Sequence, residues 1–205
     1  MGFYSRHVLP RLLDRACSMR AIDYQRERVV PRASGDVVEF GIGSGLNLPH
    51  YDASRVTSVT GVEPDEAIWA LRGERADACA FPVSHLAETA ERTSLPDACA
   101  DTVLITYSLC TIPDPVGALR EAARLLRPGG TVLFTEHGLA PDAKTARWQR
   151  RIDPVWSRLA GGCHSGRDIP ALFKRAGLRL DDLQQGYVPG PKVLAYNYWG
   201  AARAA

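Results

Sequence analysis

Apolar residues along the chain group in two rhythms. Five short runs are bounded by glycine, proline or polar residues: Asp36-Val37-Val38-Glu39-Phe40, Val56 to Val62, Ala80 to Leu86, Asp101 to Thr106, and Thr131 to Thr135. Runs of this length and composition predict buried strands. Between them, Pro64 to Arg75 reads as a helix. So does Pro115 to Leu126, with Val116, Leu119, Ala123 and Leu126 on one face and Pro128-Gly129-Gly130 ending it. Strands alternating with helices predict an α/β fold, a parallel sheet with helices on both faces. Two regions depart from the alternation. Tyr4 to about Val30 reads as helical, with Val8, Leu12 and Ala16 at i, i+4 spacing, Leu9 and Leu13 beside them, and Pro10 expected to break or kink it. Residues 141–175 form a long polar, Trp-containing helical stretch. Leu178–Val188 and Lys192–Trp199 then read as a terminal strand pair joined across Pro189-Gly190-Pro191.

Length changes this picture little. A chain of 205 residues fits one domain at about 100–200 residues per domain. No apolar run approaches the ~18–20 residues that span a bilayer, and Arg11, Asp14 and Arg15 interrupt any signal-peptide core near the start. Charge excludes more. With 25 basic and 23 acidic residues, the net +2 is too balanced for a nucleic-acid footprint. The balance conceals an asymmetry: residues 1–32 hold seven Arg against Asp14, Asp23 and Glu27. That segment is either a solvated basic face over an apolar stripe or a membrane-surface element, with peripheral contact through residues 3–30. The five cysteines are odd in number, widely spaced and form no CxxC pair, so reduced thiols in a cytoplasmic protein are expected and no metal ligand is assigned.

Chemistry enters at the loop Glu39-Phe40-Gly41-Ile42-Gly43-Ser44-Gly45, directly after the first strand. A dinucleotide fingerprint requires a small residue where Leu46 stands, and no GK[ST] of a P-loop is present. The Glu-x-Gly-x-Gly-x-Gly pattern instead lets backbone approach an adenosyl ligand with no phosphate to cradle. The second strand ends in Gly61-Val62-Glu63-Pro64, and an acid there can accept both ribose hydroxyls. The competing reading of Glu63 is a surface carboxylate at a helix start.

These residues resemble the class I S-adenosyl-L-methionine (AdoMet) methyltransferases over most of residues 35–200. The glycine loop and Glu63 match the first two motifs. Ala90-Glu91, Leu95-Pro96-Asp97 and Ala100-Asp101 resemble the stretch before strand four, Tyr107-Ser108-Leu109-Cys110-Thr111-Ile112-Pro113-Asp114 the motif after it, and Leu125-Leu126-Arg127-Pro128-Gly129-Gly130 the turn into strand five. The family often holds the adenine amine with an acid where this chain has Thr89; the Thr89 hydroxyl or the Ala90 backbone substitutes. The resemblance implies a Rossmann-like sheet of seven mostly parallel strands with an antiparallel last strand. It implies AdoMet as cofactor, held by Glu39, Gly41, Gly43, Gly45, Asn47, Glu63, Pro64, Thr89, Ala90, Glu91, Tyr107 and Leu109. A single domain would comprise a helical lid (1–32), an AdoMet core (35–137), an acceptor-shaping insert (141–175) and a terminal strand pair (177–200).

A narrower resemblance rests on Leu109-Cys110-Thr111-Ile112, Glu136-His137, Asp153-Pro154-Val155-Trp156 and Gly162-Cys163-His164 through Arg167. These segments are similar to the mammalian microsomal alkyl-thiol methyltransferases and their bacterial relatives. The mammalian proteins carry a hydrophobic anchor where this chain has a short amphipathic start, so membrane residence does not carry over.

The acceptor implied is a small, fairly apolar molecule, first a thiol or sulfide; N- or O-methylation, including a phospholipid head group, and an AdoMet-binding protein without transfer are alternatives. Transfer from a sulfonium is an in-line displacement, in which alignment can lower the barrier by ~7–11 kcal/mol. A thiol of pKa ~8.5 gains reactivity from a base or a cationic neighbour. The catalytic candidates are His137, Tyr107 and His164. His137 follows strand five; its other reading is a cap on strand-end carbonyls. Cys110 reads as a packed core residue. Cys163-His164, weighed as a nucleophile–base or metal pair, reads as turn structure, because sequence neighbours rarely converge on one ligand. Tyr4 and His7 are lid candidates, and Trp148, Trp156 and Trp199 are candidate pocket walls or core.

Overall fold

Residues 9–204 are described by the computed structural model, in which seven strands form one sheet. The strands are β1 (Gly35–Phe40), β2 (Val56–Val62), β3 (Val83–Leu86), β4 (Ala100–Thr106), β5 (Leu126–His137), β6 (Leu178–Tyr187) and β7 (Tyr196–Ala204). Their order is β3-β2-β1-β4-β5-β7-β6. The pairs from β3 through β5 are parallel, and β7 runs antiparallel to both β5 and β6. The expected Rossmann-like sheet with an antiparallel last strand is therefore observed.

The two-residue period sorts side chains to the two faces. Val103, Ile105, Val132 and Phe134 pack with α4 (Pro115–Leu125) and α6 (Ile169–Ala176), while Leu104 and Leu133 pack on the other face with Val29, Val30 and Trp199. That second face is covered by α2 (Arg20–Val29), whose end supplies Val29 and leads directly into Val30. Helices α4 and α6 start where the sequence provides a cap: Asp114 accepts from the Gly117 N–H at 3.0 Å, and Asp168 from the Ala171 N–H at 3.1 Å.

Several expected bounds shift, each for a local reason. The first helix is two, α1 (Leu9–Cys17) and α2, parted at Ser18-Met19. Pro10 does not break α1 but sits in its first turn, where its missing N–H costs nothing. The lid candidates Tyr4 and His7 lie outside the described residues. The helix expected over Pro64–Arg75 shrinks to α3 (Glu66–Trp69) and one 3-10 turn, ended by Gly73 at φ +56°. Strand three begins at Val83 rather than Ala80, and β5 starts five residues before Thr131, running through Pro128-Gly129-Gly130 with a register irregularity opposite Ala100–Thr102. Strand seven starts at Tyr196, not Lys192, and continues through Gly200-Ala201-Ala202, which pair with Phe134, Leu133 and Val132. In the insert, α5 (Ala143–Leu159) is anchored by buried Gln149. Its Nε2 donates to Gly138 O, Ser165 O and Val193 O at 3.0–3.1 Å, and its Oε1 accepts from Ala140 N–H at 2.9 Å.

The chain turns outward from β1 to β2 and β3, then crosses back to β4. The carboxyl ends of β1 and β4 thus flank a switch point, where open α/β sheets bind ligands.

Candidate active site at the strand ends

The glycine loop leaves β1 at that switch point. Gly41, Gly43 and Gly45 have φ of +69°, +54° and +74°, a region that costs other residues strain. A Cβ at Gly41 would meet Ser108 Oγ at 2.2 Å, whereas at Gly43 nothing lies nearer than 3.7 Å. The protein itself fills the space at position 41; at position 43 a Cβ would make only ordinary contacts, with Ile68 and the Gly41 carbonyl. Polar contacts hold the loop from outside: Ser44 Oγ donates to Asp14 of α1, and Arg75 donates to Ser44 O at 2.8 Å.

Beneath the loop lies a closed polar cluster. Glu39 is fully buried and accepts from Asn47 Nδ2 at 2.8 Å and Tyr51 OH at 2.6 Å, one bond on each oxygen. Asn47 also donates to Thr106 Oγ1 at 2.8 Å, but its buried Oδ1 has no partner. Glu39 is therefore placed to position the loop, and Asn47 to offer one free acceptor. Burial pushes the Glu39 carboxyl up to about 7, against the Tyr51 and Asn47 bonds.

Glu63 closes β2. Its Oε1 accepts from Asp65 N–H at 3.0 Å, and burial raises its pKa. Along the other wall, Ala90 is buried, Thr89 and Pro64 are exposed, and Glu91 accepts from Asp114 N–H at 3.3 Å. Leu109 is fully buried.

The end of β4 carries Tyr107 at φ +51°, a strained conformation for a large side chain. Its hydroxyl donates to Asn197 Oδ1 at 2.7 Å, and burial pushes its pKa well above the ordinary phenol range. Burial thus favours the protonated form of the Tyr107 hydroxyl. Glu136 holds the following turn: its Oε1 accepts from Ser108 N–H at 2.6 Å and Leu109 N–H at 2.9 Å, its Oε2 has no partner, and burial raises it to about 7. The Tyr107 and His137 rings lie 5.9 Å apart.

His137 Nε2 meets Cys163 Sγ at 3.1 Å. Burial lowers the His137 pKa, but the Cys163 contact and nearby Glu136 outweigh it and raise it overall. Cys163 and His164 do not act as a pair, since His164 Nδ1 turns to Asp153 Oδ2 at 2.7 Å while its N–H donates to Cys110 O. Cys110, expected as plain core, joins His137 and Cys163, with the three ligand atoms within 4.8 Å of one another. Wide sequence spacing argued against such a cluster; the sheet order and the return from α5 close it. Arg167 fixes the turn that carries Cys110, donating to Leu109 O and to Ile112 O, the latter at 2.7 Å. Among the candidate walls, Trp199 is buried in the core and Trp148 is exposed on α5.

Arg26 is a candidate site residue that the sequence pattern concealed among seven N-terminal arginines. It is only 4% exposed, lies 5.7 Å from the Tyr107 ring, donates to Cys17 O at 2.6 Å and leaves Nε without a partner. Its position in α2, on the face turned inward with Val29 and Gln25, is the one sequence signal that separates it from its exposed neighbours.

Sheet topology and site geometry agree with what comparison shows. Residues 6–183 match the family model described as a methyltransferase domain. The chain belongs to that family, within the class I AdoMet-dependent methyltransferases. It is 31% identical over 163 residues to the human thiol S-methyltransferase TMT1B, covering 78% of this chain and 66% of that protein, so less than two thirds of the relative's length is matched. A phosphatidylethanolamine N-methyltransferase of Cereibacter sphaeroides is 33% identical over 105 residues, 50% of this chain and 51% of that one. A SAM-dependent methyltransferase structure from Leishmania major superposes with a TM-score of 0.70 at 16% identity, covering 98% of this chain and 80% of that one, which supports the fold alone.

Proposed function

We propose that the protein methylates a small, fairly apolar thiol or sulfide with AdoMet as the methyl donor. When bound, AdoMet supplies an electrophilic methyl group on a sulfonium. The residues present fit it: Glu63 is free to accept ribose hydroxyls with its second oxygen, Gly43 leaves space for close approach, and the orphaned Asn47 Oδ1 and Arg26 Nε can take the amino and carboxylate ends of its methionine.

The observation that carries a thiol acceptor is the guanidinium of half-buried Arg167 beside the turn after β4, which bonds the carbonyls of Leu109 and Ile112 and forms no ion pair among the described residues. A neighbouring cation favours thiolate over thiol. The acceptor would bind between α2, the ends of β4 and β5 and the turn at Cys163, a space suited to a small molecule. Thiols, phenols, amines and phosphatidylethanolamine, assayed for S-adenosylhomocysteine release, test this reading. Turnover confined to thiols is the expected result; turnover of none identifies a binding protein without transfer.

A phospholipid head group is the second reading, supported by one surface feature. Trp148, Val155 and Leu159 are 52–62% exposed along one side of α5, flanked by exposed Arg147, Arg151 and Arg158. No helix among the described residues is long and apolar enough to cross a membrane. Co-sedimentation with anionic vesicles, lost in Trp148→Glu, is the outcome this reading requires.

A further inference from the structure

We propose that Cys110 Sγ, His137 Nε2 and Cys163 Sγ form a site for one zinc ion, with a fourth coordination position open to an exogenous ligand. The three donors come from separate parts of the fold: the turn after β4, the end of β5 and the loop after α5. Cys110 and Cys163 are buried, His137 is half-buried, and neither thiol is in a disulfide. Tetrahedral zinc, with bonds of about 2.3 Å to sulfur and about 2.0 Å to nitrogen, places its ligand atoms roughly 3.5–3.8 Å apart. The observed separations, 3.1 Å between His137 and Cys163 and none above 4.8 Å, bracket that range. Small side-chain rotations suffice. Two thiolates and one imidazole suit a soft tetrahedral divalent ion, and three protein ligands are the pattern of sites that keep a position for substrate.

The donors are held rather than loose. Arg167 clamps the carbonyls on either side of Cys110, and the His164 N–H donates to the Cys110 carbonyl at 2.8 Å. Glu136 bonds the N–H groups of Ser108 and Leu109, just before Cys110. Supports of this kind orient metal ligands. Metal uptake releases one proton from each thiol, and the ring proton of His137 wherever it is charged, and leaves a neutral zinc–dithiolate–imidazole unit, so no net charge is buried.

Where the acceptor is a thiol, which rests on the function proposed above, its sulfur is the fourth ligand. Its S–H bond breaks as the Zn–S bond forms, and the proton passes to solvent. Methyl transfer then forms the new S–CH3 bond as the sulfonium S–CH3 bond breaks, giving S-adenosylhomocysteine. The resulting thioether is neutral and a poor ligand, and it leaves the fourth position.

Cobalt(II) reports such a site without any turnover. The full chain, reduced and stripped with chelator under anaerobic conditions, is titrated with Co2+ and then Zn2+. Expected are one equivalent bound, the strong visible absorption of four-coordinate cobalt, a near-ultraviolet thiolate-to-cobalt band, and loss of all of these on adding Zn2+. Cys110→Ser and Cys163→Ser should weaken binding at least tenfold, while Cys79→Ser should not. An absent thiolate band, or a band undiminished in Cys163→Ser, overturns the site. S-adenosylhomocysteine calorimetry on each sample shows whether a variant is folded and tests the methyltransferase reading separately; the cobalt spectrum stands whatever its result. An alkyl thiol should shift the charge-transfer band of the cobalt form, and an unchanged band would refute the open fourth position.

Discussion

At Gly41 an added Cβ runs into Ser108 Oγ, whereas at Gly43 it makes only an ordinary contact with Ile68 at 3.7 Å, although both glycines have positive φ. Gly41→Ala should therefore lower thermal stability most, while Gly43→Ala should weaken S-adenosylhomocysteine binding more than it lowers the melting midpoint. Each also carries about 1–3 kcal/mol of backbone strain. Differential scanning fluorimetry beside calorimetry separates the two effects. Arg26 makes a second prediction. Arg26→Ala should raise the cofactor Kd about tenfold, roughly 1.4 kcal/mol, with Arg26→Lys intermediate; an unchanged Kd in titration calorimetry would remove Arg26 from the site. The glycine loop and Glu63 were legible from spacing alone, because each needs only local backbone geometry. Arg26 was not, since its environment comes from Tyr107 and Cys17, far from it or set by the helix break.

Strands β1 and β4 were readable as apolar runs because most of their residues on both faces are buried, and β2 because Val56, Val59 and Val62 are buried among more polar positions. The extent of β5 and β7 was not. Both run through glycines, prolines or alanines of low strand propensity, which pairing and packing override. The cysteine–histidine cluster was hidden for a related reason: residues 26 or more positions apart meet only because β4 and β5 are adjacent and the chain returns from α5. That return depends on Gln149, which ties α5 to Gly138, Ala140, Ser165 and Val193. Gln149→Leu leaves three carbonyls and one N–H without this partner in a buried place, at about 1–3 kcal/mol for each that water cannot reach. A lower melting midpoint is expected, with methyl transfer reduced more than S-adenosylhomocysteine affinity; equal loss of both would place Gln149 in general stability alone.

For the molecule as a whole, two buried carboxyls set the pH response. Burial holds Glu39 and Glu136 at about 7, against an ordinary 4.5. Between those values the unfolded chain gives up protons that the folded chain keeps, so stability falls as pH rises through this window. His137, with its pKa raised in the fold, acts in the same direction, since its contribution is lost as pH rises. Glu121 acts oppositely at lower pH: burial raises it, but Arg124 and Thr93 outweigh that and hold it at about 2, so its contribution is lost below 4.5. The melting midpoint should peak near pH ~5 and decline toward neutrality, and Glu136→Gln should flatten that decline. The cover formed by α1 and α2 has a kinetic consequence. Asp14 of α1 holds the glycine loop at Ser44, and Arg26 of α2 lies against Tyr107, so the proposed donor and acceptor sites share one roof. Spent donor then leaves only after that roof moves, which makes product escape a natural bottleneck. Turnover should slow as solvent viscosity rises and should be indifferent to deuterium in the transferred methyl group.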